Sequence, residues 1–186
     1  MIIASHRVFK IADIPKKNTL LEIAVVGRSN VGKSTLLNTL LNHKIARVSK
    51  TPGCTYWIGI YILSDVTLVD LPGYGYAKVH KDRLQRMYDL KQRYFDLHRL
   101  NELWILIDSR RGVSDQDQIL INNMIRYEIP YKIIATKCDK KGENKVDKYD
   151  FEVSKRNVQD LSSYLSSISC DIVFNQNKII KMRDKQ

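Results

Sequence analysis

The stretch Gly27-Arg28-Ser29-Asn30-Val31-Gly32-Lys33-Ser34 constrains this chain more than any other. It fits the pattern of two glycines bracketing a short loop that ends in Lys and Ser, and its setting fits too. The apolar run Ile23-Ala24-Val25-Val26 precedes it, and Thr35-Leu36-Leu37 opens an amphipathic pattern after it. Strand, glycine-bounded loop and helix in that order make a phosphate cradle. Backbone N–H groups from Gly27 to Thr35 turn inward, and the helix N-terminus adds partial positive charge. Lys33 is then expected to reach the β/γ-phosphates and the Ser34 hydroxyl to ligate Mg²⁺.

Periodicity extends the cradle into an α/β protein. Strands are expected at Leu21–Val26, Tyr56–Leu63, Thr67–Asp70, Leu103–Asp108, Tyr131–Ala135 and a short Ile172–Phe174. Helices are expected at Lys33–Leu41, Lys81–His98, Ser114–Tyr127 and Ser154–Ser167. Only Ser64-Asp65-Val66 separates the second strand from the third, too little for a crossover, so that pair is antiparallel. The expected fold is a P-loop NTPase of the Ras-like G-domain kind. Its sheet has six strands and is mostly parallel, with one antiparallel edge strand and helices on both faces. Residues 1–186 read as one domain, with 1–20 as an N-terminal extension and 175–186 as a shortened C-terminal segment.

Three further patches stand at the spacing a guanine-nucleotide switch needs. Asp70-Leu71-Pro72-Gly73 ends a strand with a carboxylate and turns sharply. The aspartate suits the Mg²⁺ shell through water, and the Gly73 N–H suits the γ-phosphate. Thr136-Lys137-Cys138-Asp139 follows Ile133-Ile134-Ala135. A carboxylate there can accept from both guanine donors, which adenine lacks, and Lys137 can lay its stem against the base. Thr51-Pro52-Gly53-Cys54-Thr55 supplies the loop that a lost γ-phosphate would release. Thr55 is the expected Mg²⁺ ligand, with Thr51 as competitor, and Pro52 and Gly53 beside the nucleotide. Lys33, Thr55 and Gly73 form the expected catalytic set.

These motifs resemble the EngB branch of the small bacterial GTPases. The specific parts are Gly27–Ser34 and Asp70-Leu71-Pro72-Gly73-Tyr74-Gly75-Tyr76-Ala77-Lys78, supported by Ser49–Thr55, Leu106–Gly112 and Thr136–Lys140. The resemblance is close from Glu22 to Lys140 and poor beyond. It implies a GTPase, with GTP or GDP as ligand and Mg²⁺ as cofactor, acting in assembly of the large ribosomal subunit. Ribosomal RNA or precursor particles are the implied partners. It also implies that Asn30 helps hold K⁺ near the phosphates; the competing reading is that Asn30 satisfies its own loop backbone. Where the family carries a Ser-rich guanine-contact loop, the resemblance puts Phe174-Asn175-Gln176. Cys54 stands where a basic residue is usual, and Tyr56 where glutamine is common.

Composition agrees with a polyanionic partner. The chain has 186 residues, a net charge of +11 and a pI near 9.6. Such an excess steers encounter with polyanions, nucleic acid first and an anionic membrane surface second. A solubilising charge surplus is the plainer alternative. Lys78, Lys81, Arg83, Arg86, Lys91, Arg93 and Arg99 with Tyr74, Tyr76, Tyr88 and Tyr94 form the candidate RNA-facing surface. No apolar run spans a membrane, and the N-terminus has no signal segment, so a cytoplasmic monomer is expected, without DNA as partner. Cys54, Cys138 and Cys170 lack metal spacing and are expected as reduced thiols. Tyr74 follows Gly73 where Ras-like proteins place a water-positioning glutamine, so intrinsic hydrolysis is expected to be slow and accelerated by K⁺ or ribosomal particles. A nucleotide-gated binding module with negligible hydrolysis is the main alternative, and an ATP-dependent phosphotransferase the second.

Overall fold

The computed structural model describes residues 2–17, 21–44, 46, 56–75, 80–140, 146–154 and 157–168. Two strands run fully buried end to end: β2 (Leu21–Gly27) and β5 (Glu102–Asp108). Near-continuous apolar sequence of this kind belongs in the middle of a parallel sheet covered on both faces. Around them stand β1 (Ala4–Val8), β3 (Ile58–Ile62), β4 (Val66–Asp70), β6 (Tyr131–Thr136) and β7 (Phe151–Val153), in the order β1-β3-β4-β2-β5-β6-β7.

Among the described strands only β3 runs against the others. It is antiparallel to β4, with Gly59 opposite Asp70, and to β1, with Val8 opposite Ile58. The reversed strand expected from the Ser64–Val66 link is therefore present, but β1 covers it and takes the edge. Seven strands appear among the described residues where six were expected. The N-terminal extension supplies one and Phe151–Val153 the other; the expected strand Ile172–Phe174 lies outside the described residues. The expected helix start at Ser154 also shifts, because the helical run there covers 159–168.

Side chains alternate across the sheet and divide the core in two. Ala24, Val26, Leu103, Ile105 and Ile107 face Leu90 and Tyr94 of α2 (Lys81–Phe95) and Leu120, Ile121 and Met124 of α3 (Asp115–Arg126). Ile23, Val25, Trp104 and Leu106 face Leu36 and Leu37 of α1 (Lys33–Leu40) and Leu161 of the closing helical run. At α3, Ser114 and Asp117 close a reciprocal capping box that fixes its first turn. Val146, 3% exposed, is in the α2/α3 core and anchors the chain there before β7.

The sheet register gathers the ends that matter. β2, β4, β5, β6 and β7 run in one direction, so Gly27, Asp70, Asp108, Thr136 and Val153 all finish at the same edge. That carboxyl edge is where parallel α/β sheets hold ligands.

Candidate nucleotide site

The phosphate loop leaves β2 at Gly27, whose missing side chain is required. A Cβ there would lie 2.8 Å from the Leu106 carbonyl oxygen and 2.9 Å from Val31 Cγ1. Gly32 has φ 118° and caps α1 without a side-chain hydrogen bond, leaving the first helical amides directed at the loop. Such an N-terminus is an anion site by construction.

Lys33 is buried, and its ammonium donates to Asp70 at the end of β4. Two motifs far apart in the chain therefore meet in one ion pair. The Ser34 hydroxyl and the Asp70 carboxylate are hard oxygen donors, the chemistry Mg²⁺ selects. The donor chemistry of Asp70 and Ser34 fits that cation, and these are the residues that would hold it. Thr55, with Thr51, Pro52 and Gly53, lies outside the described residues.

The turn after Asp70 folds back onto the phosphate loop. Ser29 N–H donates to the Tyr74 carbonyl at 2.9 Å, Tyr74 N–H to the Gly27 carbonyl at 3.3 Å, and Leu71 N–H to Val25. Gly73 is buried within this zipper. The Tyr74 ring is 4% exposed and its hydroxyl donates to Asp117 of the α3 cap. Burial first, then that hydrogen bond, pushes the phenol well above its ordinary range, so Tyr74 stays neutral. Its hydroxyl is committed to α3.

On the other side, Thr136 and Lys137 clamp the same loop. The Thr136 hydroxyl donates to the Val31 carbonyl at 2.8 Å, and Lys137 Nζ to the Asn30 carbonyl at 2.6 Å. Lys137 Nζ also donates to Asp108 at 2.8 Å, and Arg110 forks onto both oxygens of that carboxylate at 2.9 and 2.8 Å. Burial pulls the Asp108 carboxyl upward, but the bonds from Arg110 and Lys137 outweigh it and hold it well below the usual carboxylate range. Lys137 and Asn30 both adopt left-handed backbone, with φ 61° and 63°. A cavity of about 250 Å³ opens between Ser29–Asn30 and Asp108–Lys137. Asp139 remains exposed beyond this clamp, 3.5 Å from Lys140.

The expected base-contact residues Phe174, Asn175 and Gln176 lie outside the described residues. Another segment lies beside the end of β6. Val153 pairs with Thr136, so the chain that leaves β7 at Ser154 emerges next to the Thr136–Asp139 loop. Ser154 N–H donates to the Asn157 carbonyl at 2.9 Å and its hydroxyl accepts from Asn157 N–H at 3.1 Å, a tight turn at that spot. Asp108, Asp117 and Ser154 are the site residues missed from sequence. Asp108 did carry a signal: like Asp70, it ends an apolar strand with a carboxylate.

The candidate cationic surface divides on inspection. Lys81, Arg83, Arg86 and Arg93 are exposed, whereas Arg99 is not part of that surface. Arg99 binds the buried Glu22 through Nε at 2.9 Å to each oxygen and Nη2 at 2.7 Å, because a carboxylate inside the core needs a fixed cation. Tyr94 donates to the same Glu22 and packs inward, as does Tyr74. Lys91 lies against the Tyr74 and Tyr88 rings, and burial lowers its pKa. Lys78 and Tyr76 lie outside the described residues. Trp57 and Trp104 are buried, and His6, His43, His80 and His98 are exposed. Burial pushes the half-buried Cys138 thiol up, disfavouring its thiolate.

Comparison with known proteins agrees with this geometry. The profile of a family described as "50S ribosome-binding GTPase" matches residues 22–137. A probable GTP-binding protein EngB from Desulforapulum autotrophicum is 41% identical over 161 residues, covering 83% of each chain. The fold resembles the crystal structure of a probable GTP-binding protein engB, with TM-score 0.59 and 21% identity over 83% of this chain and 99% of that one. It also resembles Era in complex with MgGDPNP and nucleotides 1506–1542 of 16S ribosomal RNA, with TM-score 0.61 and 22% identity over 80% of this chain and 55% of that one. Among the described residues no helix is long and apolar enough to cross a membrane. With the family profile matched over 22–137 and a relative 41% identical over 83% of its length, the chain belongs to the EngB family of GTP-binding GTPases.

Proposed function

We propose that this GTPase assists assembly of the large ribosomal subunit by binding ribosomal RNA or a precursor particle in one nucleotide state and releasing it in the other. Amides of residues 27–35 and Lys33 hold the phosphates, and Asp139 reads guanine. The remaining base contacts are expected from Phe174–Gln176, and the turn at Ser154, next to the Thr136–Asp139 loop, is a second candidate for them. Ser34, Thr55 and Asp70 are the residues that would hold Mg²⁺, which would supply neutralisation of phosphate charge. Asn30 is the candidate K⁺ ligand, its carbonyl already engaged by Lys137.

The observation that carries the switch is the commitment of Tyr74 to Asp117. It stands next to Gly73 in the chain, and a neutral phenol tied to α3 cannot orient an attacking water. Hydrolysis therefore rests on positioning, on cations and on a partner, which supports slow intrinsic turnover. The ribosomal partner is supported by the matched family's description, by Era, whose structure holds ribosomal RNA, and by the +11 charge.

Co-sedimentation with purified ribosomal subunits tests the reading. Retention with large subunits or their precursors in a GTP analogue, and release in GDP, is expected. Single-turnover hydrolysis should rise when those particles or K⁺ replace Na⁺ buffer alone. Equal sedimentation in both nucleotides, with hydrolysis unmoved by either addition, would overturn it.

A further inference from the structure

Where β1 ends beside the start of β3, three aromatic rings come together. Phe9 and Tyr56 have ring centroids 5.7 Å apart, and Trp57 lies 5.9 Å from Phe9 and 5.0 Å from Tyr56. Trp57 is the buried base of the cluster, at 6% exposure. Phe9 and Tyr56 are 52% and 40% exposed, a costly way to leave two large rings unless something covers them. Two guanidinium groups attend the cluster: Arg7 lies 5.3 Å over the Trp57 ring and Arg83 4.0 Å over Tyr56.

Phe9 and Tyr56, the latter with Arg83 over its ring, line one side of a cleft of about 450 Å³ that His80 and, from α2, Arg86, Met87 and Leu90 also line. Among the described residues the one carboxylate lining it is Asp82, exposed and 3.5 Å from His80. Flat exposed rings, guanidinium planes and cationic walls are the chemistry that holds an unstacked base by its π-face and the adjoining phosphates by charge. A duplex keeps its bases stacked and cannot present one to such a cleft.

We propose that this cleft binds an unpaired base of single-stranded RNA, stacked on the Phe9–Tyr56–Arg83 surface with its flanking phosphates at Arg83 and Arg86. The proposal rests on the reading of RNA as the partner and names where that partner is gripped. An acidic protein segment is the less suited occupant, since it would use the cations and leave the ring faces unused. In the chain, Tyr56 directly follows Thr55 and His80 follows the Asp70–Tyr74 turn, so both of these lining residues are attached to the segments read as nucleotide-sensing.

Fluorescence anisotropy with a short unstructured RNA strand, its duplex and its abasic counterpart separates the outcomes. Phe9→Ala and Tyr56→Ala should each weaken single-strand binding about 5- to 100-fold while leaving the abasic strand unaffected. Phe9→Trp should restore binding, and Phe9→Ala should keep GDP affinity unchanged, excluding a folding defect. Arg86→Ala should lower the log–log salt slope by about one unit on every strand. Undiminished single-strand binding by both alanine variants, or an equal loss on the abasic strand, would overturn base stacking. A loss seen only with RNA-free ribosomal protein would overturn it in favour of a protein surface. Wild-type protein that binds neither RNA nor ribosomal particle would instead overturn the proposed function on which this rests.

Discussion

At the phosphate end of the site Lys33 is buried and satisfied by the protein itself, its ammonium on Asp70. At the base end Lys137 is also paired, but with Asp108 and the Asn30 carbonyl, partners that hold its stem beside the place a base must enter. The first lysine has to leave its carboxylate to grip a phosphate; the second is already where it will act. Asp139 completes the contrast, because it stays exposed, 3.5 Å from its neighbour Lys140, while Asp70, Asp108 and Asp117 are held by direct hydrogen bonds. One end thus exchanges an internal ion pair for the ligand, and the other is assembled in advance. Preorganised donors and acceptors convert more of their contact energy into affinity, so specificity should reside at the base end.

The largest expected effect tests that end directly. Asp139→Asn should lower GTP affinity by roughly 10⁴-fold and transfer preference to XTP, because a mismatched hydrogen-bonding site leaves its own polar groups unpaired. Competition of labelled GTP against ATP and XTP reads both changes at once. An unaltered nucleotide preference would move base recognition away from Asp139. The phosphate end is tested without nucleotide. Lys33→Met strands the buried Asp70 charge and should cost about 3–5 kcal/mol in thermal unfolding, and adding Asp70→Asn should recover most of it. If the single and double variants unfold together, the internal pair does not govern that end.

The same contrast explains what was legible in the sequence. Gly27–Ser34, Asp70–Gly73 and Thr136–Asp139 are short and contiguous, and each sits at the end of an apolar run, so local pattern was enough to place them. β1 escaped because its burial runs from intermediate through three exposed residues to Val8, an edge strand with no apolar alternation to read. β7 escaped because three residues carry no period, and its neighbour Ser154 was absorbed into a helical pattern. The Tyr74–Asp117 and Arg99–Glu22 bonds join residues 43 and 77 apart in the chain. No local rule signals such pairs, and Arg99 therefore read as one more surface cation.

Asp108→Asn probes the preassembled end with the smallest expected effect. The substitution keeps shape but removes the charge that Arg110 and Lys137 share. Their side chains are 38% and 27% exposed, so screening limits the cost to about 1–3 kcal/mol at neutral pH. The pH dependence fixes the cause. A folded carboxyl held below its unfolded value of about 3.9 binds fewer protons than the unfolded chain in acid, so its stabilisation is complete above that pH. It is lost as pH falls through the folded value. Wild type should therefore lose stability on acidification across this window more steeply than Asp108→Asn, and the two unfolding curves should converge at low pH. Parallel curves would mean that Asp108 holds Lys137 by shape alone, and the base end would then owe its readiness to the Thr136 and Asn30 contacts rather than to charge.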